Sequence, residues 1–497
     1  MPKNRPLDPS RRDFIERAIA LAGASLTGKA ASAAPAADGT AGPPATGSAA
    51  KVRVAVIGCH GQGGAHIGEW LANPDSELVA VCDCDPGAFQ KQGKRFAEAG
   101  RTPEYVQDVR ALLDRKDIDA VSIATPNHWH ALMAVWAMQA GKDVYVEKPC
   151  SHNVEEGRVI TQWARKLGRI CQMGVQSRST TGTRAMMAFL KSGKLGPVRA
   201  AHAVCFRRRD SIGLVDTPAP LPPGIDFDLW AGPAPKVVPI RKRLHYDWHW
   251  DHVTGNGDLG NQNPHEIDRC RWALGKQELP KQVVSLGGRL GYVDNGDVAN
   301  SQVTIFRWDD AILISDVRGL PIETPVTFGL KVQSPFQGAC AILYGTEGFV
   351  VSPTYSSAAA FNYDGHKLGA WKEGNYQQHF ANFVAAVRSR RREDLNLDIE
   401  DGHLSSALAH LGNVSWTLGE PVAIGTRPPL GGDDPHAKAS LDTFEAYLRE
   451  HKVDVSKTKL LLGRELTIDP QSERTGKPEI DRLFTREYRK GYELPRV

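Results

Sequence analysis

One short stretch, residues 52–83, limits the possible folds more than any other. Residues 52–57 (Val-Arg-Val-Ala-Val-Ile) are rich in β-branched side chains and alternate little, as in a strand buried on both faces. Gly58-Cys59-His60-Gly61-Gln62-Gly63-Gly64 follows, then a helical run over 65–72, then a second buried strand over 78–82 that ends at Asp83. A dinucleotide site needs that order. Glycines permit a tight turn and let a pyrophosphate approach the amides at a helix N-terminus. An acid after the second strand accepts hydrogen bonds from the ribose hydroxyls, and its charge repels a 2′-phosphate, so Asp83 predicts NAD over NADP. In G-x-G-x-x-G spacing the middle glycine would fall at position 60, which is His60; the glycines stand at Gly58, Gly61, Gly63 and Gly64. The turn alone is a weak signal. Strand, turn, helix, strand and terminal acid together carry the dinucleotide reading.

Further strands follow at βα spacing. Residues 120–124 lead into Thr125-Pro126-Asn127-His128-Trp129-His130, and 143–146 into Glu147-Lys148-Pro149. Both turns fall beyond the carboxyl ends of strands, where a doubly wound sheet binds its ligands. Residues 169–175 read as the last strand. The expectation is an α/β protein with an N-terminal Rossmann doubly wound parallel sheet over 51–176. Its cofactor contacts are expected from Gly58, His60, Gly61, Gly63, Asp83, Thr125, Asn127, His128, Glu147 and Lys148.

Residues 1–33 read as a targeting peptide. A basic region ends in Ser10-Arg11-Arg12-Asp13-Phe14-Ile15, a mildly apolar stretch follows over 18–27, and Ala31-Ser32-Ala33 offers a small-residue cleavage site. Paired arginines before a phenylalanine predict the twin-arginine export machinery as a partner and a periplasmic or otherwise exported location. The apolar stretch is too short for a permanent membrane span. Residues 34–50 are Ala, Pro, Gly, Thr and Ser for the most part and read as a flexible linker. What remains is about 450 residues, enough for two domains. A formal net charge of +4 gives no argument for nucleic acid. None of the eight cysteines forms a CxxC pair, and free thiols without structural zinc are expected.

Taken together, these residues resemble the Gfo/Idh/MocA oxidoreductases. The glycine turn, Asp83, Thr125-Pro126-Asn127-His128 and Glu147-Lys148-Pro149 arrive in that family's order and spacing. Downstream, Asp228-Leu229-Trp230-Ala231-Gly232-Pro233 and the run from Gly257 to Asp268 also resemble it, so the likeness covers roughly residues 50–425. The paired arginines and Thr485-Arg486-Glu487-Tyr488-Arg489 look like an exported branch. The resemblance implies a second α/β domain, 177–425, with a large open, mostly antiparallel sheet often used for oligomer contacts, hence a homo-oligomer (dimer or tetramer). It also implies an active site between the domains. Residues 426–497 read as a wrapping extension.

Hydride transfer from an alcohol needs a base for the hydroxyl proton and a group that stabilises the developing alkoxide. Lys148, just past a strand end, fits the second role and His265 the first. In sugar and polyol dehydrogenases of the family an aspartate commonly lies four residues before this histidine; here it is Asn261. A neutral amide can orient a ring or hold a substrate hydroxyl but supplies little charge. Asn261 therefore joins Lys148 and His265 as a candidate catalytic residue, with proton handling altered.

The aromatic run His245-Tyr246-Asp247-Trp248-His249-Trp250-Asp251-His252 suits a sugar ring. Trp230, Tyr246, Trp248 and His249 are the expected substrate contacts. His249, Asp251 and His252 are metal-ligand types, but their spacing does not order them tetrahedrally, and no metal is expected. Three readings follow. The first is an NAD(H)-dependent oxidoreductase acting on a carbohydrate, polyol or related hydroxy compound, with tightly retained cofactor because no free NAD pool exists outside the cytoplasm. The second is a glycosidase or lyase that oxidises a ring hydroxyl transiently and eliminates a substituent. The third is a non-catalytic sugar-binding protein on the same scaffold.

Overall fold

The computed structural model describes residues 50–497 apart from 333, 334, 452, 455 and 456. The expected signal peptide over 1–33, and all but the last residue of the linker, lie outside the described residues. A parallel sheet of six strands begins the fold: β1 (Val52–Ile57), β2 (Ser76–Cys82), β3 (Glu104–Val106), β4 (Ala120–Ile123), β5 (Asp143–Val146) and β6 (Cys171–Met173). Their spatial order is β3-β2-β1-β4-β5-β6. The order reverses between β1 and β4, and a doubly wound sheet binds its ligand at that crevice. Every side chain of β4 and β5 is buried, which accounts for their continuous apolar reading. Period two nevertheless sorts the strand faces. Val52, Val54 and Val56 pack with helix α1 (Gln62–Ala72), whereas Ala55 and Ile57 pack with α2 (Asn127–Gln139) and α3 (Val154–Lys166).

The second sheet has eleven strands: β7 (Val198–Phe206), β8 (Gln282–Gly288), β9 (Ser301–Arg307), β10 (Ile312–Arg318), β11 (Ala339–Gly345), β12 (Gly348–Ser352), β13 (Ser357–Asn362), β14 (Lys367–Lys372), β15 (Glu420–Ala423), β16 (Lys459–Leu462) and β17 (Leu466–Thr467). All its pairings are antiparallel except β7 with β10. Five more helices matter for the site and its support: α4 (Gly257–Asn261), α5 (Pro264–Ala273), α6 (Gln377–Ser389), α7 (Ile399–Thr417) and α8 (Pro435–Glu450). Ile267 and Cys270 of α5 and Leu404, Leu408 and Leu411 of α7 cover one face of the sheet. Leu441, Phe444 and Leu448 of α8 cover the other.

Two long-range dockings tie the chain together. Helix α6, which follows β14 in sequence, seats Phe380, Phe383 and Val384 on the first sheet. Phe380 stacks on Tyr145 of β5 with centroids 4.7 Å apart and meets Trp70 of α1 edge-on at 4.9 Å. Residues 426–497 enter the second sheet through β16 and β17, both of which pair with β8. Their last turns return to the first domain, where Trp163 Nε1 donates to the Pro495 carbonyl at 2.9 Å. All eight cysteines are free thiols. Among the described residues no helix is long and apolar enough to cross a membrane.

Phe380→Ala would empty the joint between α6 and the first sheet. The expected cost is about 3–5 kcal/mol for a buried phenylalanine, read as a lowered urea midpoint of the transition that reports Trp70. An unchanged midpoint would contradict this packing.

Candidate functional site

The glycine turn folds tightly against the next strand's end. Gly58, at φ +89°, lies so close to the Ala124 carbonyl that a Cβ would stand 2.7 Å from its oxygen. A Cβ on Gly63 would fall 1.8 Å from the Gly58 oxygen. Only glycine lets α1 start this near to β1. Gly61 is the N-cap of α1 and no side chain caps it; the Gly63 amide donates to the His60 carbonyl at 2.8 Å, and a helix start without a side-chain cap suits an anion. At the end of β2, Asp83 accepts from the Cys59 amide at 2.7 Å and the Asp85 amide at 2.9 Å. Burial nonetheless pushes this carboxyl up, against the pull of those two amides.

Gly58, His60, Gly61, Asp83, Thr125, Asn127, Glu147 and Lys148 all line one cleft of about 360 Å³. Its opposite wall comes from the second domain, through Trp230, Tyr246, Trp248, His249 and Asn261. The buried Thr125 Oγ1, which has no hydrogen-bond partner, lies on this lining. A helix N-terminus without a side-chain cap, a close-packed glycine turn, an acid at the second strand's end and an orphan hydroxyl fit a dinucleotide.

Glu147 organises the Rossmann wall. Its Oε1 accepts from Gln62 Nε2 (3.1 Å), His66 Nε2 (3.0 Å) and Gln176 Nε2 (3.3 Å), and its Oε2 from the Lys148 amide (3.1 Å). Burial opposes its charge, yet His66 and the neighbouring cations hold it well below the usual carboxylate range. Lys148 follows on a cis peptide to Pro149. Its Nζ donates to the Asn261 carbonyl at 2.7 Å and reaches the Asn261 amide oxygen at 3.4 Å. Burial pulls the Lys148 pKa down, with Glu147 working against it. His130 bridges the turns beside it, its ring nitrogens at 2.6 Å from the Pro149 carbonyl and 2.8 Å from that of Thr125.

On the facing wall, Arg209 forms a two-point ion pair with buried Asp258, at 2.6 and 2.8 Å, and donates to the Tyr246 hydroxyl at 3.1 Å. The run Arg207-Arg208-Arg209 suggests a solvated strand end or a carboxylate contact, but its sequence does not single out Asp258, 49 residues beyond Arg209, as the partner. His249 is only 2 % exposed, and its Nε2 has no partner. Burial pushes its pKa down to about 4, so the ring is neutral at pH 7. Tyr246 is 56 % exposed at φ +67°, and Trp230 is buried against Phe227, with their rings stacked at 5.6 Å.

Three expected contacts lie elsewhere. Gly63 is buried inside the turn and supports it from within. His128 points away from the cleft: its ring nitrogens sit 3.1 Å from the Trp230 carbonyl and 3.3 Å from the Thr254 carbonyl, so it braces the second domain against α2. His265, in the first turn of α5, is not among the lining residues and packs 4.5 Å from the Tyr355 ring. Its Nδ1 is buried without a partner, and burial together with the Lys148 charge drives its pKa well down. Asn261 ends α4 and His265 lies in α5, so the turn at Gln262 and Asn263 separates them. Among the described residues, two groups place metal-ligand atoms within 4.8 Å of one another: His60 with Asp85 and His245, and Asp251 with His252 and Asp297. His249 belongs to neither.

Fold and site define a two-domain protein whose dinucleotide cleft is closed by an aromatic loop. Residues 52–175 match the Gfo/Idh/MocA model, an oxidoreductase family with an NAD-binding Rossmann fold. The match spans the amino-terminal domain and describes that domain as an NAD-binding Rossmann fold. Residues of this domain are 34% identical over 127 positions to a glycosyl hydrolase family 109 protein of Shewanella pealeana, an alignment that covers 24% of this chain and 28% of the relative. The chain thus spans little more than a quarter of that relative's length. Two solved structures share the fold across both domains. A WlbA dehydrogenase from Bordetella pertussis, in complex with NADH and UDP-GlcNAcA, is 20% identical with a TM-score of 0.53, covering 73% of this chain and 95% of its own. A levoglucosan dehydrogenase in complex with NADH and levoglucosan is 16% identical with a TM-score of 0.55, covering 72% and 95%.

Removing the Asp83 carboxylate deletes the anchor of the Cys59 amide and, with it, the ribose acceptor expected from the sequence. Asp83→Ala is expected to weaken NAD binding by about tenfold or more, since a hydrogen bond to a charged group contributes roughly 1.5–3 kcal/mol; titration calorimetry reads it, and unchanged affinity would contradict the site. Acid should also destabilise the fold. Burial lowers the pKa of His128 to about 3, His249 to about 4, His379 to about 4 and His410 to about 3, from an ordinary 6.5. Between about 6.5 and 4 the unfolded chain takes up protons that the folded chain refuses, so stability present above 6.5 is lost as pH falls. Glu266, raised by burial from 4.5 to about 7, acts with the opposite sign, as do the raised carboxyls of Glu69, Asp83, Asp143, Glu156 and Asp251. Burial also lowers His130, His152, His202, His245, His265 and His436, so the histidines prevail. The melting temperature should therefore drop on acidification from pH 7 to pH 5, and a flat or rising profile would contradict these burials.

Proposed function

We propose that the protein is an NAD(H)-dependent oxidoreductase that acts on a hydroxyl of a sugar, polyol or related compound and retains its cofactor between turnovers. One observation carries this reading. Lys148 Nζ and the unpartnered Nε2 of His249 belong to side chains that line the same cleft as Asp83 and the glycine turn. Bound NAD supplies a hydride acceptor there. The Asn261 carbonyl uses one of the three Lys148 donors, leaving donors for a substrate oxygen. An ammonium at that point stabilises alkoxide character as the hydroxyl proton leaves. His249 is neutral and faces the cleft, so it accepts that proton more directly than His265, whose ring stands outside the lining. His265 remains the candidate by resemblance to the family. Trp230 and Trp248 supply the apolar faces that a sugar ring packs against, and the Tyr246 hydroxyl its polar rim.

A second reading has specific support. The relatives aligned over the first domain are named glycosyl hydrolases, and Asn261 holds Lys148 with a neutral group. In that reading a ring hydroxyl is oxidised to a ketone, which acidifies the neighbouring C–H. A base removes that proton, the glycosidic substituent leaves, water adds, and the ketone is reduced again with no net redox change. Retention of the cofactor suits both readings, and both go with export: residues 1–33 act as a twin-arginine signal and the working place is the periplasm. The chain is taken to work as a homo-oligomer.

The test is turnover on a panel of polyols, free sugars and aryl glycosides. One equivalent of reduced nicotinamide per chain, reoxidised when a second, carbonyl-bearing sugar is supplied as hydride acceptor, marks the first reading; aglycone release with no net reduction of nicotinamide marks the second. Lys148→Met and His249→Gln should each lower kcat by about 10²-fold or more, the range for a positioned proton-transfer group, with bound nucleotide unchanged. Full activity in both variants would overturn the assignment. Loss in His265→Gln alone would move the base to His265.

A further inference from the structure

We propose that His60, Asp85 and His245 form a binding site for a divalent cation of the zinc class, which ties the substrate loop of the second domain to the glycine turn of the first. The three residues come from separate parts of the chain. His60 stands in the turn where a G-x-G-x-x-G pattern would have glycine. Asp85 lies two residues past Asp83 and caps the short helix Pro86–Gln90. His245 immediately precedes Tyr246, Trp248 and His249.

Their geometry suits a shared cation. Nε2 of His60 and Nε2 of His245 lie 3.2 and 2.9 Å from one and the same oxygen, Asp85 Oδ2. All three ligand atoms fall within 4.8 Å of one another. Metal–nitrogen and metal–oxygen bonds of about 2.0–2.2 Å in tetrahedral geometry separate neighbouring ligand atoms by roughly 3.3 Å. The two histidine–aspartate separations, 3.2 and 2.9 Å, lie within a few tenths of an ångström of that spacing, and the two imidazole nitrogens stand within 4.8 Å of each other. The imidazole rings lie side by side and tilted, with centroids 4.1 Å apart and planes 34° apart.

Asp85 is 4 % exposed, and its Oδ1 accepts from the Gly87 amide at 2.9 Å. That outer bond fixes the carboxylate, as partners behind metal ligands do. Both histidines line the cleft, so a fourth position would open toward it. Three protein ligands with one open position is a common zinc arrangement. Without a cation, Asp85 Oδ2 accepts from both imidazoles, and the same contact becomes a hydrogen-bonded latch. The experiment separates the two.

Chelator-treated full-length protein is titrated with Zn²⁺ alone, then with Co²⁺ while its visible bands are recorded. The expected result is one equivalent of Zn²⁺ per chain and the strong visible bands of low-coordinate Co²⁺. His245→Gln and His60→Gly should each weaken uptake by about tenfold or more. His252→Gln, in the more exposed group with Asp251 and Asp297, should leave it unchanged. Far-ultraviolet circular dichroism verifies the fold of each variant. Absence of stoichiometric uptake overturns the proposal, as does uptake that survives both His245→Gln and His60→Gly or is lost only in His252→Gln.

Discussion

A single buried carboxylate, that of Glu147, holds together the Rossmann wall of the cleft. It sits where α1, β5 and the turn after β6 converge, and side chains from each side reach it: Gln62 and His66 from α1, Gln176 from beyond β6. His66 in turn reaches Ser122 of β4 at 2.9 Å. A carboxylate buried without such partners would be strongly unfavourable, so the surrounding elements are held in one arrangement. Its other oxygen holds the Lys148 amide. The lysine that lines the cleft is thus placed by the same group that anchors α1 to the sheet.

The two walls differ in chemistry. The Rossmann wall offers backbone amides at an uncapped helix start and one acid, which suits a diphosphate and a ribose. The second wall offers aromatic faces, backed by the Arg209–Asp258 pair that lies behind Tyr246. Burial keeps His249 neutral within that wall. A charged cluster therefore stands near the site without charging its candidate base. His128 and His130 brace the turn after β4 through backbone carbonyls of both domains. The His128 contacts cross from α2 to the second domain, whereas those of His130 stay within the first.

Much of the first domain was readable from residue order alone. Buried parallel strands announce themselves as apolar runs, and a glycine turn that must approach β4 closely cannot hide its composition. The second sheet was foreseen through family resemblance, since its strands carry no comparable local signature. What stayed illegible depended on distant contacts. Nothing in the apolar stripe of residues 377–389 says that it belongs on the first sheet beside Tyr145. Nor does the Pro- and Gly-rich start of the 426–497 segment announce two strands and a covering helix. His128 sits in a motif that suggested cofactor contact, yet its ring turns to the domain interface. Position in a motif fixes the backbone there more firmly than the direction of each side chain.

The central claim is that this chain holds NAD as a resident cofactor. Its most direct test is denaturation of full-length protein purified without added nucleotide, with mass spectrometric identification of what is released. The account predicts NAD or NADH in near-stoichiometric amount. Protein that carries no dinucleotide and takes none up when NAD is supplied would contradict it and leave a sugar-binding protein on the same scaffold as the better description.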